Sequence, residues 1–235
     1  MEIAGLQKMT LLDFPGKVAC TVFLQGCNFR CPFCHNSDLL SGPARQPILW
    51  EELLRFLDKR RGLLDGVCIT GGEPTLQKAL PELLREIKAR GFAVKLDTNG
   101  SRPEVLSRLL EDALVDYVAM DIKNGPSGYA RTVGTAVDLE AVTQSMRMLL
   151  AGCTDYEFRT TVVEELHAAQ DILEMGHWTA SVAPGHKPKR FFLQGYVDRE
   201  SVLFAGLHGV NREKMVQFQE ILRPFAENVE IRGVD

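Results

Sequence analysis

Val18-Ala19-Cys20-Thr21-Val22-Phe23-Leu24-Gln25-Gly26-Cys27-Asn28-Phe29-Arg30-Cys31-Pro32-Phe33-Cys34-His35-Asn36 is the stretch on which the reading of this chain turns. Its first seven residues are mostly apolar and β-branched, and predict a buried strand over Val18–Leu24. Three thiols then follow on a loop, spaced C-x3-C-x2-C. Three soft sulfur donors this close suit a metal centre. They fit an iron–sulfur cluster with one iron left open, or a zinc site completed by a ligand from elsewhere. His35 directly follows Cys34 and cannot easily turn onto the same ion.

Outward from that loop, strand-like runs alternate with helical patterns. Strands are predicted over Gly66–Thr70, Phe92–Leu96, Val115–Met120, Tyr156–Val163, Arg190–Val197 and Val229–Arg232. Helices are predicted over Pro47–Arg60, Ala79–Arg90, Pro103–Glu111, from an Asp138 cap to Leu150, over His167–Thr179 and over Asn211–Phe225. Gly125–Gly134 reads as a flexible loop, and the basic run His186–Arg190 as a solvated face. Serial β-then-α units imply an α/β fold of parallel strands with right-handed crossovers, either a doubly wound sheet or a full or partial barrel. The absence of a Gly-rich fingerprint after the first strand disfavours the dinucleotide-binding form. In both architectures function gathers at the C-terminal ends of the strands. With no linker or repeat in view, residues 1–235 are expected to form one domain.

Composition narrows the classes. The chain has 235 residues, 45% of them hydrophobic and 25% charged, which argues against disorder. Its 27 Lys+Arg against 31 Asp+Glu give a net charge of −4, which disfavours nucleic-acid binding by phosphate neutralisation. No apolar run is long enough to span a bilayer. Met1–Lys8 lacks the basic flank and apolar stretch of a secretory signal, so a cytoplasmic location is expected. Six cysteines in such a chain do not suggest a disulfide framework; Cys20, Cys68 and Cys153 read as small buried side chains.

A second motif, Thr70-Gly71-Gly72-Glu73-Pro74, ends the next strand. Its two glycines would let a ligand approach the backbone, and Glu73 could accept from a ligand's amino group. Together the cysteine loop, with Phe33 before its last thiol, and Gly71-Gly72-Glu73-Pro74 resemble the radical S-adenosylmethionine superfamily. Leu96-Asp97-Thr98-Asn99-Gly100, Met120-Asp121-Ile122-Lys123 and Leu11-Leu12-Asp13-Phe14-Pro15-Gly16 resemble segments of its glycyl-radical-enzyme activating enzymes. Gly5-Leu6-Gln7-Lys8 and Arg61–Gly66 liken the chain to the activating proteins of anaerobic ribonucleoside-triphosphate reductase, in their pyruvate-formate-lyase-activase-like form.

That resemblance implies a partial (β/α)6 TIM-like barrel of parallel strands. It implies one 4Fe–4S cluster on Cys27, Cys31 and Cys34, whose open iron chelates the amino and carboxylate groups of S-adenosylmethionine. An electron from the cluster would release a 5′-deoxyadenosyl radical, which takes hydrogen from a glycine of a partner enzyme. By position, Phe33 and His35 would flank the adenosyl end, and Gly72 and Glu73 would meet the methionine amino group. Asp97 and Asp121 would line the carboxylate side, with a monovalent cation between them. Asn99 and Lys123 would bind ribose or carboxylate oxygens, although Asn-Gly is also a common turn. The implied partners are a glycyl-radical enzyme, in the first place anaerobic ribonucleotide reductase, and a flavodoxin or ferredoxin-type electron donor. Two positions depart from the family pattern. Val162-Val163 leads into Glu164-Glu165 rather than Pro-Gly, and Gln194 stands where pyruvate-formate-lyase activase has a histidine. Arg159 and His167 have no role by resemblance. Two rival readings remain: a radical enzyme acting on a small molecule, such as a 7-carboxy-7-deazaguanine synthase, and a non-catalytic metal-binding scaffold. The scaffold has no use for Gly72 and Glu73.

Overall fold

The strand that opens the cysteine stretch has an antiparallel neighbour that the apolar pattern did not announce. In the computed structural model, which describes residues 1–199 and 201–234, β1 (Ile3–Thr10) pairs antiparallel with β2 (Ala19–Leu24). Only Ile3 and Thr10 of β1 are buried, and its register against β2 shifts twice. Alternation is therefore lost, and with it the strand signal. The expectation of parallel strands is corrected for this pair.

The chain divides into two compact units. The first comprises residues 1–28, 38–98 and 104–118. After β2 come α1 (Trp50–Asp58), β3 (Gly66–Gly71), α2 (Leu80–Ala89) and β4 (Ala93–Thr98), with most of α3 (Pro103–Glu111). β2, β3 and β4 are parallel, with Val22 opposite Ile69 and Ile69 opposite Leu96. Those three side chains are fully buried, as are Leu53 and Leu57 of α1 and Leu80, Leu83, Leu84 and Ile87 of α2. Each such burial contributes about 1.5–3 kcal/mol. The predicted helix Pro47–Arg60 starts later because Ile48 is held extended in a bridge to Ile3.

Phe14 closes one end of this unit. It clusters with Ala19, Ala93 and Tyr117, the first residues of β2, β4 and β5 (Tyr117–Asp121). A Cβ on Gly66, the first residue of β3, would stand 2.9 Å from the Phe14 ring. Asp13 accepts a 2.5 Å hydrogen bond from the Thr21 hydroxyl. Within Leu11–Gly16, Phe14 is therefore the plug at the N-terminal ends of these strands, where residues serve stability rather than chemistry.

The second unit comprises residues 29–37, 99–103 and 119 onward. It contains α4 (Pro126–Val133), α5 (Leu139–Ala151), β6 (Asp155–Val162), α6 (Ala169–Val182), β7 (Phe191–Gly195), α7 (Arg212–Leu222) and β8 (Val229–Arg232). β6, β7 and β8 are parallel. Asp138 caps α5, its Oδ1 accepting from the amides of Glu140 and Ala141. The expected loop Gly125–Gly134 is instead α4. Pro126 starts it, Gly134 ends it at φ 68°, and Tyr129, Thr132 and Val133 are buried. Gly, Pro, Ser and Thr in the segment had masked these caps. His186, Lys187 and Lys189 are exposed as predicted, and Cys20 and Cys68 are buried, but Cys153 lies exposed beyond the end of α5.

Candidate active site

In the first unit the two motifs meet backbone to backbone. The Gly72 amide donates to Leu24 O at 2.9 Å and the Glu73 amide to Gly26 O at 2.8 Å. A Cβ on Gly71, at φ 120°, would lie 2.3 Å from the Leu24 nitrogen, and one on Gly72 would lie 2.0 Å from the Gly26 oxygen. The glycines are thus required by the root of the cysteine loop. Glu73 is almost wholly buried. Its Oε1 accepts from the Thr75 amide at 3.1 Å, the Thr75 hydroxyl at 2.5 Å and the Thr98 hydroxyl at 2.8 Å. Thr75 and Thr98 were not singled out from sequence, although Thr75 directly follows one quoted motif and Thr98 lies inside another. On β4, residues two apart share a face. There Lys95, 2% exposed, pairs with Asp97, and Cys68 Sγ lies 3.8 Å from Asp97 Oδ1.

In the second unit the cysteine loop is tied at several points. The Arg30 amide donates to Val133 O at 2.8 Å, the Cys34 amide to Cys31 O at 3.1 Å, and the Phe204 amide to Pro32 O at 3.0 Å. His35 stacks on Tyr196 with ring centroids 5.5 Å apart, and its Nε2 lies 2.7 Å from Val197 O. Phe33 is buried, with Lys123 Nζ 5.9 Å from its ring centre. Asp121 ends β5, where its carboxylate accepts from Arg159 Nε at 2.5 Å and Lys123 Nζ at 2.8 Å. Burial opposes its charge, but Arg159 and Lys123 outweigh that and hold the carboxyl well below the usual carboxylate range. Burial likewise opposes the Lys123 charge, and Asp121 and Cys31 more than offset it, raising its pKa. Asn99 Oδ1 accepts from the Ser101 amide at 3.0 Å, so the Asn-Gly turn is real. Gln194, on β7 opposite Arg232, is half-buried. After β6, Val163 bridges to Gly209, and the Glu164 amide donates to His208 O at 2.9 Å.

No three His, Cys, Asp or Glu side chains form a preformed metal cage among the described residues. The donor set nonetheless fits an iron–sulfur cluster: three thiols from one short loop whose backbone is tied by other bonds. Burial pushes the Cys31 thiol up to about 11 and raises Cys34, so taking up metal must release protons. The Tyr129 hydroxyl is buried, and its electrostatic neighbours include the Lys123 backbone, the Lys123 side chain, Cys31 and Asp121.

His167 is a pin. Its Nδ1 accepts from the Val163 amide at 3.0 Å, which leaves Nε2 to donate to Lys123 O at 2.9 Å. Burial lowers its pKa below the ordinary 6.5. The unfolded chain then binds the extra proton first, so stability holds above about 6.5 and falls as pH drops below it. Thermal melts at pH 7.5 and 5.5 are expected to show a smaller acid loss for His167→Gln than for the wild type; equal losses would contradict the neutral pin.

The sequence profile of the radical SAM superfamily matches residues 21–166. The chain belongs to that superfamily. A Methanocaldococcus jannaschii protein, named provisionally as a glycyl-radical enzyme activating enzyme, is 31% identical over 238 residues, covering 99% of this chain and 96% of its own length. The pyruvate formate-lyase-activating enzyme of Clostridium pasteurianum is 34% identical over 128 residues, 52% of each chain. A Streptococcus suis structure bound to S-adenosylmethionine superposes with a TM-score of 0.68 at 13% identity, covering 92% of this chain and 52% of that one. That likeness shows the fold, the α/β partial barrel expected from the motifs. As a radical SAM enzyme the chain uses an iron–sulfur cluster and S-adenosylmethionine. No helix among the described residues is long and apolar enough to cross a membrane.

Proposed function

We propose that this chain activates a glycyl-radical enzyme by abstracting hydrogen from a glycine Cα of that partner, with anaerobic ribonucleotide reductase the first candidate. The observation that carries the reading is the near end-to-end match to the Methanocaldococcus jannaschii relative, 99% of this chain and 96% of that one. A likeness confined to the cluster loop would not distinguish an activase from other members of the superfamily.

When bound, the cluster supplies one electron to the sulfonium of S-adenosylmethionine, yielding methionine and the adenosyl radical that takes the glycine hydrogen. The chain's residues do the rest. Cys27, Cys31 and Cys34 hold three irons. Glu73 receives the methionine ammonium, at a strand end fixed by Gly72. Lys123 and Asn99 bind carboxylate or ribose oxygens, and Phe33, His35 and Gln194 bound the adenosyl side. The lysine ring contact at Phe33 and the Tyr196 stack at His35 support these placements by fixing both aromatic rings. Residues 1–235 act as one domain in this reading, in the cytoplasm, with a flavodoxin or ferredoxin-type protein as electron donor.

The test mixes reconstituted protein anaerobically with reductant, S-adenosylmethionine and ribonucleotide reductase deuterated at glycine. A glycine-centred EPR doublet and deuterium in 5′-deoxyadenosine are expected. Repeated turnover of a small metabolite with no radical on a protein would replace this reading with the small-molecule one.

A further inference from the structure

We infer that Asp121 and Asp97 are each neutralised by protein cations, Arg159 above all, and that S-adenosylmethionine binding here needs no alkali ion. The inference deepens the proposed S-adenosylmethionine site and rests on that reading for its functional consequence. The charge arrangement itself does not.

A carboxylate attracts an alkali cation strongly only while it carries surplus negative charge. Neither acid offers that surplus. Asp121 faces two cations, Arg159 at 2.5 Å and Lys123 at 2.8 Å, so its charge is already balanced. Asp97 carries its own ammonium, from the buried Lys95 on the same face of β4. Arg159 is also well anchored. Its carbonyl accepts from the Ile122 amide at 2.9 Å, and β6 sets it opposite Phe192 of β7. A guanidinium whose own backbone is bonded to the residue after Asp121 cannot lose its charge and cannot diffuse away, unlike an exchangeable ion. Its consequence for the reaction is positional. The methionine carboxylate would meet an acid already neutralised, and binding would not depend on which salt is present.

Two readouts test this. The first uses the metal-free full-length protein, melted in sodium, potassium or choline chloride at equal ionic strength. The wild type is expected to melt within about 1 °C in all three. Lys95→Met, which leaves Asp97 without its ammonium, is expected to melt lower in choline and to regain part of the loss in sodium or potassium. A wild-type melt several degrees higher in an alkali salt would overturn the inference, as would a Lys95→Met variant indifferent to salt identity. If that variant does not fold, the wild-type series still decides. The second readout is S-adenosylmethionine affinity, from the change in the cluster EPR signal. Arg159→Gln is expected to weaken binding about tenfold and Arg159→Lys to restore most of it. If neither variant alters affinity while the melts behave as expected, the placement of Asp121 at S-adenosylmethionine falls and the charge substitution stands.

Discussion

Cys31→Ala is expected to reduce the iron of anaerobically reconstituted protein from about four per chain to near zero, with loss of all radical chemistry. The same change should leave the metal-free fold close to wild type. The loop around Cys31 is held by the bonds from the Arg30 and Phe204 amides, and none of them uses the sulfur. Removing one small buried sulfur should therefore cost less than about 2 kcal/mol in a thermal or urea melt. The exposed Cys153 supplies the control, because Cys153→Ala should keep full iron. Iron and absorbance at 400 nm or so, measured on all three proteins, separate loss of a ligand from loss of the fold. A Cys31→Ala protein that retains its iron would remove the loop from the cluster. About eight irons in the wild type would break the expectation of a single cluster.

The cysteine loop and the β/α alternation were legible in the sequence because each depends on local pattern. The thiol spacing is covalent, and buried strands such as β2 and β3 are continuous apolar runs. What escaped notice depends on tertiary context. β1 carries no alternation because only its two end residues are buried. α4 hid behind residues usually found in loops, though the same Pro126 opens its first turn and Gly134 caps its end. The glycine pair was read as a ligand approach, and its packing against the Leu24 and Gly26 backbone could not be seen from the motif. The Asp-Phe-Pro-Gly segment marked the family correctly yet sits at the strand N-termini, away from the ends where chemistry gathers. Arg159 and His167 were visible as residues but not as roles. One neutralises Asp121 and the other pins Lys123 to Val163, and both depend on partners more than 35 residues away.

Glu73→Gln is expected to weaken S-adenosylmethionine binding about tenfold or more while leaving iron content and melting temperature near wild type. The conservative change is chosen because Glu73 does two things. Its Oε1 is the shared acceptor for the Thr75 amide, the Thr75 hydroxyl and the Thr98 hydroxyl, and it thereby fixes the turn after β3 to the end of β4. Glu73→Ala would abandon those buried donors, at about 1–3 kcal/mol each, and any loss of binding could then be a loss of structure. Glutamine keeps a carbonyl oxygen for the three donors, while it removes the charge and turns the second oxygen into an NH2 group. A charge-assisted bond to the methionine ammonium is worth about 1.5–3 kcal/mol, and its neutral replacement about half of that or less. The lost charge also leaves the ammonium poorly compensated in a buried setting, which enlarges the deficit. Tenfold weaker binding in Glu73→Gln with an unchanged melt assigns the ammonium contact to Glu73. Wild-type affinity in that protein would reduce Glu73 to the clamp that holds Thr75 and Thr98, and the ammonium would need another acceptor.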